Sequence, residues 1–521
     1  MKIVSRSDML RLEEATHDQG VSTKSLIWRV GIALSERLAT MMESLGSKNV
    51  AIFVGPGNNG ADGLVAAMNL AENGFSVHVY LCAAKERQDA ELIRRLEVTA
   101  WYTDLTQSVP ENLQAEISQF DIVVDAILGI SKPRKIEGLL ARVLEDIRGS
   151  FEGNRNRLLV AVDIPSGMDA DTGQVDDLTV PVDCTIAVGY PKVGFFLNPG
   201  YKYVGSIEQL DVGLRSGLLE SLHVNLTSIE DFVEFRHLLN IKVDSHKGSK
   251  GHVLAIAGSA SYPGAAILAG MAAYRSGCGL VTLMAPDSIF SITAGKLPEA
   301  IHLTYPDLIS DEATLNAIEL VRALDLHRYD SVLLGCGIST GPFSAAFVNE
   351  VVNCVARIGD SIPMVVDADA LNNLAEVDLW WEKLDRSLVL TPHPGEMSRL
   401  IKMSVEYVQR SRLETASSTA MKMNQVTVLK GAFTVVADVD GNTYVNPHAN
   451  PVLGTAGSGD VLAGLIASLL AQGLPELLAV KLAVYVHGQA GEELRYQVGE
   501  RGVIASDIAN YLPSVLNSLA L

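Results

Sequence analysis

Towards the end of the chain, Gly457, Ser458 and Gly459 run directly into Asp460, and an apolar stretch starts at Val461. A loop of such small residues lets backbone N–H groups approach an anion and aims a helix N-terminus at it. Phosphate is the natural guest. A carboxylate repels phosphate oxygens, so Asp460 needs another role, that of taking the proton from a hydroxyl that attacks phosphorus. Phosphoryl transfer is the chemistry this stretch could carry. The bland alternative is a Gly-rich turn in which Asp460 merely caps a helix.

A second Gly-rich stretch, Gly55-Pro56-Gly57-Asn58-Asn59-Gly60-Ala61-Asp62-Gly63, follows the apolar run Val50–Val54. Leu64–Glu72 then reads as a helix and Ser76–Leu81 as the next strand, which makes a βαβ unit. The glycine spacing is neither the dinucleotide GxGxxG nor a P-loop, because no Gly-Lys-Ser/Thr follows. Asn58, Asn59 and Asp62 offer side-chain oxygens that suit a hard cation or ribose hydroxyls as well as phosphate. Two further apolar runs end in carboxylates, Asp125 after Ile122–Val124 and Asp163 after Leu158–Val162, with Ser166 close behind. All strand C-termini of a parallel sheet lie on one edge, so Asn59, Asp125, Asp163 and Ser166 can converge.

The second half has its own series. Ser245–His252 is basic and Gly-rich; Gly258–Ala266 leads into a small-residue helix; Gly335-Cys336-Gly337 ends an apolar run. Asp367 and Asp369 end another and are candidates for magnesium contact through water. Pro392 and Pro394 stiffen the loop around His393, which favours a ligand contact over a mobile surface histidine. Lys430 ends the run Val426–Leu429, and a lysine at such a place faces a partner or an anion, the diphosphate of a nucleotide being the obvious one.

Positioning these groups requires strand–helix alternation in two blocks. The first runs from Val50 to about Asp211 behind a helical start; the second begins at His252, with a mixed polar stretch Leu214–Lys242 between them. At 521 residues, two or three domains are expected. The division expected is 1–220 and 221–521. The formal net charge of −20 argues against nucleic acid or an anionic membrane as partner. The five cysteines are odd in number and scattered, which argues against a disulfide frame or a zinc site. The first residues lack an apolar signal core, and no apolar run approaches the ~20 residues that span a bilayer. A cytoplasmic protein is expected.

The ordered set of segments resembles the bifunctional NAD(P)H-hydrate repair enzymes, in which an epimerase domain is fused to an ADP- or ATP-dependent dehydratase domain. The resemblance spans nearly the whole chain. It implies an α/β protein with a Rossmann-like first domain and a ribokinase-like second one. In the first, it implies potassium near Asn59, Asp125 and Ser166, with Asp125 or its neighbours assisting epimerisation. Asn58, Asn59, Gly60, Ala61 and Asp62 would contact the hydrated nucleotide. So would Asp163 and the loop Gly129, Ile130, Ser131, Lys132, Pro133, Arg134 and Lys135. In the second, it implies that Ala266, Gly337, His393 and Asp460 face the substrate, with Asp460 as catalytic base. Lys430, Gly431, Ala432, Phe433, Thr434 and Gly459 would hold ADP or ATP, with magnesium. The partners are then small molecules, NAD(P)HX and the adenine nucleotide, and an assembly of like copies is expected. Ser25–Gly31 departs from the family in lacking an acidic residue before that glycine, and Gly129–Lys135 is less glycine-rich than usual. The Asp460 loop taken alone also fits a small-molecule kinase acting on a hydroxymethyl group, or a nucleotide-binding module without catalysis.

Overall fold

The computed structural model describes residues 2–131, 135–152, 157–214, 226–228, 245–358, 362–384 and 388–520. The chain forms two compact units, Lys2–Val224 and Asn225–Leu521.

In the first unit, short β-branched and apolar runs make parallel strands: β1 Asn49–Val54, β2 Ser76–Leu81, β3 Trp101–Asp104, β4 Ile122–Ala126, β5 Leu158–Val162, β6 Cys184–Val188 and β7 Ser206–Leu210. Their order is β3-β2-β1-β4-β5-β6-β7. Alternate residues of β1 feed opposite faces. Val50, Ile52 and Val54 pack with the helices Thr23–Leu45 and Asn58–Glu72, whereas Ala51 and Phe53 pack with the helix Leu139–Ser150. Each of the Val, Ile and Phe side chains, fully buried, contributes about 1.5–3 kcal/mol. The strand order reverses between β1 and β4, and the crevice beyond their C-terminal ends is where such sheets take ligands.

One expected boundary moves. The helix after β1 begins at Asn58 rather than Leu64, so most of the Gly-rich stretch is its first turns. Close packing explains the glycines. A Cβ on Gly55 would lie 1.7 Å from the Ile127 carbonyl oxygen, and one on Gly60 would lie 2.0 Å from that of Gly55.

The second unit holds a ten-stranded sheet built from β8 Leu226–Ser228, β9 His252–Ile256, β10 Leu280–Pro286, β11 Ile301–Tyr305, β12 Ser331–Leu334, β13 Met364–Val366, β14 Val389–Leu390, β15 Val426–Leu429, β16 Val435–Ala437 and β17 Thr443–Val445. The order is β11-β10-β9-β12-β13-β14-β15-β16-β17-β8, antiparallel only at β15/β16 and β16/β17. The sheet therefore takes an edge strand from the stretch that the sequence leaves as a boundary; most of that stretch lies outside the described residues. Here the order reverses between β9 and β12. From Val461 on, the helix Ser458–Ala471 is apolar save for Ser468 and is buried, as all-round apolar helices are. It presses so closely on the helix Pro263–Arg275 that a Cβ on Gly464 would lie 2.2 Å from the Ala269 carbonyl oxygen. That contact fixes the first turn, and with it Asp460. No helix among the described residues is long and apolar enough to cross a membrane.

Candidate active sites

At the β1/β4 crevice of the first unit, Asp125 ends β4 and is buried. Its Oδ1 accepts from Ser166 Oγ at 2.6 Å and from the Ile127 N–H at 3.1 Å; its Oδ2 accepts from the Ser166 N–H at 2.8 Å. Ser166 Oγ in turn accepts the Leu128 N–H at 2.9 Å, and Asn59 Nδ2 donates to the Leu128 carbonyl at 3.1 Å. Residues from β1, β4 and β5 thus meet around one turn, as their strand-end positions require. Burial pushes the Asp125 carboxyl up, and the hydrogen bonds from Ser166 and Ile127 pull it back. Asn59 Oδ1 is buried with no hydrogen-bond partner among the described residues. An orphan oxygen beside a buried carboxylate and a hydroxyl is a donor set that fits a weakly charged hard cation.

Asp163 follows β5 in the left-handed region at φ 66°, a conformation that turns its carboxylate back toward β6. It accepts from the Val188 N–H at 3.1 Å and pairs with Lys192 Nζ, and the Lys192 side chain is fully buried. Lys192 is absent from the residues the sequence singles out; its signal is a lysine inside the otherwise apolar Val188–Phe196. Asp62 is also buried, and its Oδ1 has no partner among the described residues. Of the 129–135 loop, Ile130 accepts Arg6 Nε at 2.6 Å, and Lys135 makes an exposed ion pair with Glu137. Lys132, Pro133 and Arg134 lie outside the described residues.

The second site gathers at the C-terminal ends of β12, β13, β14 and β15. Lys430, after β15, donates to Asp367 Oδ1 at 2.6 Å and lies 3.8 Å from Glu396 Oε2. Asp367 follows β13 and its side chain is 1% exposed. Burial alone would lower the Lys430 ammonium, but the charges of Asp367 and Glu396 outweigh it and hold the group above its ordinary value. Asp367, Cys336 and Asp460 each bring one ligand atom within 4.8 Å of the others, and Asp367 Oδ2 is a buried orphan among the described residues. Burial and then the Asp367 charge push Asp460 up to about 7, against opposing pulls from Cys336 and Lys430. Gly459 keeps the space open, since a Cβ there would lie 3.2 Å from Lys430 Nζ.

His393 plays two parts. It is the N-cap of the helix Pro394–Ile401, where its Nδ1 accepts the Gly395 N–H at 2.9 Å and Glu396 Oε2 accepts the His393 N–H at 2.7 Å. Its Nε2 then lies 3.3 Å from Glu396 Oε1. The ring is held without being enclosed, and burial with the Lys430 and Arg399 charges lowers its pKa. Asp369 turns away to accept the Ser339 N–H at 2.9 Å. In the sequence, Cys336 and Glu396 stand within motifs with no role of their own; both prove to border the Lys430–Asp367 pair.

Gly337, at φ 67°, packs on Tyr262 and Ala265, next to the buried Ala266. Beyond Lys430, Phe433 donates its N–H to the His448 carbonyl at 3.2 Å and Thr434 accepts the Asn446 N–H at 2.9 Å. Thr434 Oγ1 donates to the Gly431 carbonyl at 3.0 Å. Beside this turn, Asn446 Oδ1, His448 Nε2, Asn450 Nδ2 and His487 Nε2 are buried without a hydrogen-bond partner among the described residues.

The family profile described as NAD(P)H-hydrate dehydratase matches residues 253–514, and that of the YjeF-related protein N-terminus matches residues 23–194. The bifunctional NAD(P)H-hydrate repair enzyme of Moorella thermoacetica is 35% identical over 100% of this chain and 97% of its own. The chain belongs to that family. The relative of the same description from Thermofilum pendens is 34% identical over 100% of this chain and 97% of its own. Among solved structures, the ADP/ATP-dependent NAD(P)H-hydrate dehydratase from Bacillus subtilis co-crystallized with ATP/Mg2+ is 30% identical, with 54% of this chain and 96% of that one covered and a TM-score of 0.47.

Proposed function

We propose that each unit carries one half of the family's repair reaction. The second unit dehydrates hydrated NAD(P)H at the expense of an adenine nucleotide; the first interconverts the two epimers so that both reach the dehydratase. The observation that carries this reading is the buried group of Asp460, Asp367 and Lys430 at the mouth of a helix N-terminus.

The hydrated nicotinamide bears a hydroxyl at ring C6, beside the ring nitrogen. Hydroxide leaves slowly, and phosphate leaves readily. Asp460 takes the proton as that hydroxyl attacks the terminal phosphorus of the nucleotide, and a pKa of about 7 suits a general base at neutral pH. The N–H groups of the first turn of Ser458–Ala471 stabilise charge on the phosphoryl oxygens. Elimination of phosphate then restores the dihydronicotinamide. Lys430 lies where it can share its charge between Asp367 and a phosphate. The orphan polar atoms of Asn446, His448, Asn450 and His487, next to 430–434, suit a nucleobase. Burial pushes both histidines down to about 4, so they are neutral and able to accept or donate.

Asp367, with its orphan oxygen, fits a magnesium ion held through water. Such an ion would offset charge on the phosphate oxygens. In the first unit, Asn59, Asp125 and Ser166 would hold potassium, which would orient the substrate. There Asn58–Asp62, Gly129–Lys135 and Asp163 would line the substrate's path.

The test is incubation with mixed epimers of NADHX plus ADP or ATP, following the absorbance of restored dihydronicotinamide and the release of inorganic phosphate. A stable phosphorylated product instead would make the protein a small-molecule kinase. Absence of nucleotide turnover would reduce it to a binding module.

A further inference from the structure

A helix, Arg6–Asp18, precedes the segment matched to the YjeF-related profile. Several contacts hold this helix and the residues before it against the segment that carries Lys192 and the loop at Ile130. Val4 donates its N–H to the Pro191 carbonyl at 3.0 Å and accepts the Val193 N–H at 3.1 Å, so the chain crosses on either side of Lys192. Arg6 Nε reaches the Ile130 carbonyl at 2.6 Å. Met9, Leu12 and Thr16 form its buried stripe at helical spacing. Glu13 lies on that stripe, one turn after Met9. It is half-buried, and no described residue hydrogen-bonds to it.

Three elements face Glu13. The turn after β5 brings Asp163, the segment after β6 brings Lys192, and the helix Asn58–Glu72 brings Asp62. Lys192 and Asp163 neutralise each other as an ion pair. That leaves two carboxyl groups with no cation of their own among the described residues, and one of them, Asp62, keeps a buried oxygen without a partner. Burial and the Asp163 charge raise Glu13; burial, Asp163 and Glu13 raise Asp62 well above the carboxylate range. A structural ion-pair network would bring a cation for each acid. Here one lysine serves three carboxyl groups among the described residues.

We infer that Glu13 is a catalytic acid–base residue of the epimerase, acting opposite the Lys192-paired Asp163. The inference rests on the assignment of epimerisation to this crevice. Epimerisation at C6 through loss and return of water needs one proton donor and one acceptor. Glu13 gives its proton to the C6 hydroxyl. The C6–O bond breaks, water leaves, and the lone pair of ring N1 forms a C6=N1 iminium. Water then adds to the opposite face of C6, its electrons forming the new C6–O bond while those of the C6=N1 bond return to N1. Its surplus proton passes to Asp163. The sum is one water out and one in, with one proton moved from Glu13 to Asp163. The partial exposure of Glu13 lets solvent return that proton. The other epimer follows the same steps with the two carboxyls exchanged. Lys192 pairs with Asp163 at the start, and Asp125, boxed in by Ser166 and Ile127, is left to the cation.

The test uses the full chain and separated R and S epimers, with interconversion followed by chromatography in the absence of nucleotide and corrected for the spontaneous rate. E13Q keeps the shape and removes the proton chemistry. It should lower kcat by about 10²–10⁴ with KM little changed, and its residual rate should lose one limb of the wild-type pH profile. E13D, which restores a carboxyl, should recover part of the rate. Melting temperatures of both variants equal to wild type exclude misfolding. E13Q within twofold of an active wild type overturns the role of Glu13 and leaves the epimerase assignment standing. A wild type that does not exceed the spontaneous rate overturns both.

Discussion

The two crevices share a plan and differ in charge. Each lies at the C-terminal edge of parallel strands beside a Gly-rich helix start, the first where strand order reverses and the second across the ends of β12 to β15. In the first, the catalytic-edge carboxylates are buried among hydrogen-bond donors or beside a locked lysine, and orphan oxygens remain at Asn59 and Asp62. That is an environment for a cation and for proton exchange. In the second, Lys430 stands between Asp367 and Glu396 at the mouth of a helix N-terminus, an environment for phosphate. The fold supplies the edge, and the side chains at strand ends decide the chemistry.

The sharpest test of that division is Asp460→Asn. It removes the base and keeps size and hydrogen bonding, so dehydration should slow by about 10²–10⁴ while nucleotide binding survives. Epimer exchange should be untouched. Near-normal dehydration would erase the distinction between the crevices. The reciprocal change is Asp125→Ala. Loss of the proposed potassium ligand should cost at least the roughly 10–100-fold typical of outer-shell changes, in R-epimer conversion and its potassium dependence. The S epimer should still be dehydrated. Consumption of both epimers at wild-type ratios would misplace the first site.

Lys430→Ala should weaken nucleotide binding by about 1.5–3 kcal/mol, measured by calorimetry. It also removes a positive charge that holds Asp460 down, so the acidic limb of the dehydratase profile should move to higher pH. Unchanged affinity would make Lys430 only the partner of Asp367. As the proposed base, Asp460 must be ionised to act. Dehydration should therefore be full above a pH of about 7 and fall as pH drops through it. Epimerisation should not share that limb. The smallest effect concerns His393. His393→Ala removes an N-cap and should cost about 0.5–2 kcal/mol of stability by denaturant titration. His393→Asn, which can still cap, should keep the stability and show only the loss of the ring on substrate KM.

Much of this is legible in the order of residues alone. Asn59, Asp125 and Ser166 do converge, and Asp460 does lie in the first turn of a buried helix, because parallel strands put their ends on one edge. The sequence shows which residues end each apolar run, and that alone places them at a crevice. The helix start at Asn58 is not legible, because glycines read as a loop until the carbonyls they pack against are known. The edge strand Leu226–Ser228 is hidden for a related reason: three residues in a polar stretch form a strand only because β17 offers an unpaired edge.

What the sequence by itself determined is the α/β plan, the two blocks and the residues at the strand ends, since period and composition are local properties. Only the tertiary structure decided the pairings. Lys430 reads as facing a partner or an anion, and the fold supplies the partner as an aspartate 63 positions earlier. Lys192 is not singled out in the sequence, yet it pairs with Asp163 after β5. Burial and neighbouring charge set how tightly each group holds its proton, and both depend on residues far apart in sequence. Which carboxylate is a base, a ligand or an acid is therefore a property of the fold.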